Sequence, residues 1–414
     1  MVTRKSLLVC VALLAAGCHF AVGRLEPATT LDVAGRDNAH VSLAADGDRV
    51  AAAWAASGSD GTDVYAAFSD NGGARFGTPV RVNDVAGDAS AGGEQPPRIV
   101  IRDRRVDVVW VSKHGGPAAI RAASSNDGGA TFAPATTITP PGLSGARGWE
   151  SAALADDGAM HAVWLDGRPP SRPAAASATD ALREASTSPH QHGAMIQNIF
   201  HAAWKQNQGP VETQVAANVC FCCKTAIVTR GSDVYVAWRH LFPGGVRDIA
   251  VARSADGGAT FSAPVRVSDD EWKLDACPDD GPSMAIDRAG TLRIAWPTLV
   301  HDRTGDRIAI FEATSADNGR TFTPRTRVDS TTASASHPRI AAGPRGRAVV
   351  WDEIAGGARR AWMRAGDTAA AEPAGGGETA SYPAVAATSY GFVVGWTEQD
   401  GERSIVRARK VAAR

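Results

Sequence analysis

Seven short apolar runs ending in tryptophan punctuate this chain: Arg49–Trp54, Val106–Trp110, Met160–Trp164, Val234–Trp238, Leu292–Trp296, Ala348–Trp351 and Phe392–Trp396. Their tryptophans stand 56, 54, 74, 58, 55 and 45 positions apart. A long, regular period built from short strands and Gly- or Asp-rich turns marks a ring of small sheets. Each unit reads as four strands: a short one before a turn, the Trp-ended one, a third, and a fourth of the type Ala263–Val267. The last unit holds Pro383–Ala387, Phe392–Trp396 and Ser404–Arg409 and then lacks its fourth strand. Ala28–Val33, which precedes the first unit and has no partner of its own, is placed to supply it and leave no open edge. The expected fold is all-β, a propeller of seven four-stranded blades. Six blades is the alternative, with one Trp run misassigned.

A second repeat lies inside the first. Ser-x-Asp-x-Gly-x-Thr-Phe occurs at Ser125–Phe132, Ser254–Phe261 and Ser315–Phe322, and in weaker form at Ser69–Phe76, where Asn71 and Arg75 replace the Asp and Thr. The residue types suit a tight hairpin: Ser and Asp oxygens accept turn N–H groups, Gly258 takes positive φ, and Phe261 packs inward. This octapeptide resembles the Asp box of the sialidase-like (BNR-repeat) β-propeller superfamily. The resemblance implies fold, since Asp boxes in that family stand away from the catalytic centre. In the sixth unit a Gly- and Ala-rich stretch, Asp367–Gly377, replaces the box and reads as a degenerate surface loop.

The first residues read as a targeting segment. Arg4 and Lys5 precede the apolar run Ser6–Leu14, too short to span a bilayer, and Ala15-Ala16-Gly17-Cys18 follows as a small-residue cleavage site. This resembles a bacterial lipoprotein signal, with Ala15 where the pattern usually has Leu. The resemblance implies a signal peptide over 1–17, lipidation of Cys18, an anchor or linker over 18–27, and one propeller over 28–414. With His19 after Cys18, it also implies attachment to the outer membrane of a Gram-negative cell. A plain secretory peptide is the alternative. The 43 basic and 44 acidic residues give a formal charge of −1, so no nucleic-acid footprint exists. A monomer contacting the membrane through its lipid, with a glycan or protein ligand on one face, is expected.

In a propeller, the connections after strand two and those between blades share one face. Mapped so, eight of the ten His, all but His19 and His161, and the four Cys beyond the anchor gather there. An insertion over 166–196 carries His190, His192 and Met195, and long insertions in compact repeats are often functional. Cys220, Cys222 and Cys223 enter blade four, and Cys277 enters blade five. In an oxidising compartment these four read as disulfides, with Cys277 bonded into the Cys220–Cys223 segment. With His190, His192 and Met195 the alternative reading is a soft-metal site, copper(I) first and zinc second.

The sialidase resemblance implies a different chemistry: an arginine trio, a Tyr–Glu nucleophile and an Asp acid/base, an exception to the usual two-carboxylate scheme. Arg98, Arg239, Arg339, Tyr382 and Glu150 fall at matching places. The Arg-Ile-Pro signature is absent; Arg98-Ile99-Val100 comes nearest. The repeated Trp residues read as packing between blades, whereas Trp149 and Trp272 lie in face connections and suit ligand contact. No phosphate loop, dinucleotide fingerprint, nucleophile elbow or His-Glu-x-x-His motif is present. The expected activity is binding without catalysis, with a sialidase-type hydrolase and a partner-binding scaffold as alternatives.

Overall fold

A computed structural model describes residues 26–142, 145–168, 197–274, 280–302, 305–367, 369–375, 377 and 379–412. Seven antiparallel sheets follow one another around a ring. Blade four is typical, with Ala226–Arg230, Asp233–Arg239, Ile249–Ser254 and Val265–Arg266 in spatial order. Each first strand touches the first strands of both neighbouring blades, so seven of them enclose the axis. Blade seven is composite: Thr29–Leu31 pairs with Arg403–Ala412, with Thr30 opposite Arg407.

The seven repeated Trp side chains are each no more than 1% exposed. Burying one removes roughly 150–250 Å² from water, worth about 4–6 kcal/mol before ordering entropy is counted. An indole N–H cannot be buried without an acceptor, and all seven have one. Asn38, Asp88 and Asp270 serve Trp54, Trp110 and Trp296 from before the first strand's turn or the preceding connection; Asp166, His240, Glu353 and Glu398 serve the Trp two residues earlier.

The octapeptide turns fasten one blade to the next. In Ser254–Phe261, Gly258 N–H donates to Ser254 Oγ at 2.8 Å and Thr260 N–H to Asp256 Oδ1 at 2.9 Å. The Ser254 hydroxyl, the Thr260 hydroxyl and the Thr260 N–H all donate to Asp256 and hold its exposed carboxyl down at about 2. Gly258 has φ +90, and a Cβ there would stand 2.1 Å from His201 of blade three. Gly129 meets Phe68 of blade one in the same way.

Two details depart from expectation. Asp367–Gly377 is not wholly a loop: Glu372–Gly375 pairs with Ala358–Ala365 and completes blade six. Blade two gains an extra short strand, Ala89–Ser90, which pairs beyond the end of Arg98–Arg102 on the same neighbour, Arg105–Ser112.

Candidate functional site

In the first strands of blades one, three, six and seven the pairing register slips between Ala39 and Ser42, Gly148 and Ser151, Ser336 and Arg339, and Ser381 and Ala384. At each slip a bulky residue takes a left-handed conformation: His40 (φ 60), Trp149 (φ 54), His337 (φ 58) and Tyr382 (φ 49). Such backbone costs about 1–3 kcal/mol per residue and persists only where the surroundings enforce it, as at functional sites. In blade four Ala226 pairs with Ala237, just before Trp238, so the matching position two residues earlier is Lys224. The four bulges and Lys224 therefore occupy one end of the axis.

A buried polar network joins the blades there. Lys224, fully buried, places Nζ 2.7 Å from Glu94 Oε2 and 2.9 Å from Asp280 Oδ1. Asp280 Oδ2 accepts the His337 N–H at 2.7 Å, and His337 Nδ1 lies 2.9 Å from Asp352 Oδ2. Asp352 also accepts Arg359 Nη1 at 2.7 Å and Tyr382 N–H at 2.8 Å. Burial opposes charge on His337, but the Asp352 and Asp280 carboxylates outweigh it and raise its pKa. Tyr382 packs 4.2 Å from the His337 ring and 5.9 Å from His40. It closes on Gly93, where a Cβ would stand 2.0 Å from the phenol ring. A shallow depression of about 400 Å³ beside it is lined by Arg359, Thr379, Ser381, Thr397 and Gln399.

Beside this network sits Glu150. It is fully buried, and neither carboxylate oxygen has a hydrogen-bond partner among the described residues. Burial raises its pKa to about 7 against the opposing Arg98 charge. Burial and then the Arg339 charge depress Arg98 to about 9. Arg98 donates Nε–H to the Glu150 carbonyl at 2.8 Å. Arg98, Arg339 and Glu150 thus share one electrostatic neighbourhood with the bulge ring. Arg239 does not share their role: it is 1% exposed, donates to the carbonyls of Arg247, Asp280 and Pro297, and covers the Trp272 ring at 4.4 Å. Trp272 itself is buried, and Trp149 lies within a strand instead of a connection.

The thiol cluster lies where the chain passes from Val211–Val219 of blade three to Ala226–Arg230 of blade four. The sulfurs of Cys220, Cys222 and Cys223 are all within 4.8 Å of one another, and all three residues are buried. Cys220 and Cys223 are free thiols with sulfurs 3.8 Å apart. Arg247 Nη1 reaches Cys220 Sγ at 3.6 Å. The Cys223 thiol, and then Arg247 and Arg239 against burial, draw the Cys220 pKa down, while burial drives that of Cys223 up. Trp149 and Phe221 pack over the cluster, and Trp149 is held by Thr225, whose Oγ1 donates to its carbonyl at 2.8 Å.

Cys18, His190, His192, Met195 and Cys277 lie outside the described residues. The insertion's entry is firmly placed: Asp166 is fully buried between Arg147 (2.9 Å) and Arg168 (2.8 Å), and Arg168 also binds Glu212. His201 is not on the face with the other histidines. It lies in Gln197–Trp204 and meets His161 at 2.9 Å, because that strand begins at Gln197 and carries it inside the blade. Sequence reasoning passed over Lys224, Glu94, Asp280 and Asp352. A usable signal was the Pro following the ring position in Pro96-Pro97-Arg98, Gly281-Pro282, His337-Pro338 and Tyr382-Pro383.

No family model matches the chain, and no curated protein does. Among solved structures, a polysaccharide lyase, an ulvan lyase, aligns with TM-score 0.50 at 10% identity, covering 92% of this chain and 95% of its own. The leech intramolecular trans-sialidase aligns at TM-score 0.47 and 12% identity over 88% of this chain and 83% of its own. A protein of unknown function from Dyadobacter fermentans gives 0.47 and 12% over 94% and 99%. At these identities the likeness concerns the fold, a β-propeller.

Proposed function

We propose that this chain is an exported, lipid-anchored propeller of the sialidase-like superfamily that acts by binding, and that its axial face holds a soft metal ion on the thiol cluster. The observation that carries this reading is a cluster of buried sulfurs in which Cys220 and Cys223 are free thiols 3.8 Å apart. Buried free thiols beside a guanidinium suit a thiolate-bound ion, copper or zinc, better than they suit a carbohydrate. Cys222 is read as the disulfide cysteine of the group. Cys18 carries the lipid and faces the outer membrane's periplasmic or outer side.

The test is metal analysis with a free-thiol count on the chain from His19 onward, purified from an oxidising compartment without chelator or histidine tag. The reading expects about one copper or zinc per chain, in line with one thiol cluster. No metal and no free thiols would leave the cysteines as staples of a partner-binding scaffold.

A second reading, an exo-acting glycosidase of the sialidase type, is favoured by one observation: Glu150, without a hydrogen-bond partner among the described residues and raised to about 7, stands in the field of Arg98, which is itself in the field of Arg339. Sialoside cleavage that disappears in Arg339→Ala would establish it. The bonding of Arg239 to three backbone carbonyls weighs against it.

A further inference from the structure

We infer that Cys220 and Cys223 alone, without Cys222, form the ion-binding unit and that its ion is copper(I). The inference rests on the metal reading above and narrows it. Cys220 and Cys223 are the free thiols of the group. The Cys-x-x-Cys spacing puts both on one turn 3.8 Å apart; two sulfurs bound linearly through metal–sulfur bonds of about 2.3 Å stand about 4.6 Å apart, so a small opening of that turn admits one ion between them.

The donor set selects the ion. Among the described residues the cluster offers sulfur alone, the donor a soft ion prefers. A soft monovalent ion is satisfied by few sulfurs. Two thiolates and one copper(I) carry a net charge of −1, and the Arg247 guanidinium 3.6 Å from Cys220 Sγ supplies the matching positive charge. The Trp149 and Phe221 side chains packed on the cluster keep bulk water and larger oxidants away. Compartment chemistry points the same way. An adjacent dithiol outside the cytoplasm would close to a disulfide unless something occupied both sulfurs, and a bound ion does so.

The test is anaerobic titration of the chain from His19 onward with copper(I), generated by ascorbate, against a colorimetric copper(I) chelator. Zinc is titrated in parallel against its own indicator, and Trp emission is followed throughout. The wild type and Cys222→Ser should each bind one copper(I) and quench Trp emission, while Cys220→Ser and Cys223→Ser should weaken binding at least about 100-fold. Because Cys222→Ser removes a staple and can misfold, the wild type is also alkylated and read by peptide mass. Copper(I) should protect Cys220 and Cys223, with Cys222 unlabelled both with and without the ion. Loss of copper in a folded Cys222→Ser protein, labelling of Cys222 that copper prevents, or zinc binding of equal strength would overturn the pair while leaving the metal reading intact. Failure of every form to bind either ion would overturn both.

Discussion

Replacing Glu150 by Gln tests whether the axial end of the propeller holds an uncompensated carboxyl. Glu150 is fully buried and its oxygens lack hydrogen-bond partners among the described residues, so burial lifts its pKa from 4.5 to about 7 despite Arg98. A group raised on folding contributes stability that is complete below its unfolded value and is lost as pH rises through the folded one. The loss therefore runs from about pH 4.5 to just above 7. Its size, at about 1.4 kcal/mol per pH unit, approaches 3 kcal/mol by pH 8. Glutamine has the same shape and never ionises. Its buried amide adds a constant offset, so the informative quantity is the change in the difference between the two proteins with pH. Relative to wild type, Glu150→Gln should gain about 2.5 kcal/mol between pH 5 and pH 8, read from urea midpoints and slopes at both values. Parallel pH profiles for the two proteins would refute the argument, because they would mean that the carboxyl is solvated or paired.

Two further outcomes follow from buried charge. Lys224→Met leaves Glu94 and Asp280 facing each other without their shared cation, and should cost about 3–5 kcal/mol in denaturant unfolding at pH 7. The His161–His201 pair is held neutral by burial, at about 4 and 3, so stability present above pH 6.5 should fall as pH drops through 4; urea midpoints for a His161→Leu, His201→Leu double variant should show a shallower acid limb.

The ring was legible because its defining residues repeat. A tryptophan that must be buried and must find an acceptor recurs in the same strand of every blade, and the Ser-x-Asp turns satisfy their own N–H groups locally, so both stand out in one dimension. The closure by Thr29–Leu31 was legible from counting strands. The axial site was legible only in part, because the blades contribute different side chains to it: His40, Trp149, Lys224, His337 and Tyr382 share a register position, and only the two His share a chemistry. The left-handed backbone of His40, Trp149, His337 and Tyr382 comes from bulges, which leave no mark on hydrophobic alternation. Lys224 carries no signal of its role, since nothing local reveals that Glu94 and Asp280 come to it from two other blades. Glu372–Gly375 escaped for the opposite reason: Gly and Pro in an Ala-rich stretch mask a strand that exists through pairing with Ala358–Ala365. Arg239 matched a catalytic position by count, yet its surroundings supply three carbonyls and no opening.

The composite blade has a temporal consequence. Arg407 donates to Thr30 across 377 positions of sequence, so the earliest and latest parts of the ring must meet before blades one and six each have two complete neighbours. A nascent or translocating chain can assemble blades one to six in order, but it remains an open arc until its final strand emerges. Synthesis direction thus sets a clock: the buried carboxylates, the strained bulges and the paired thiols come under their full mutual constraint only at that last step.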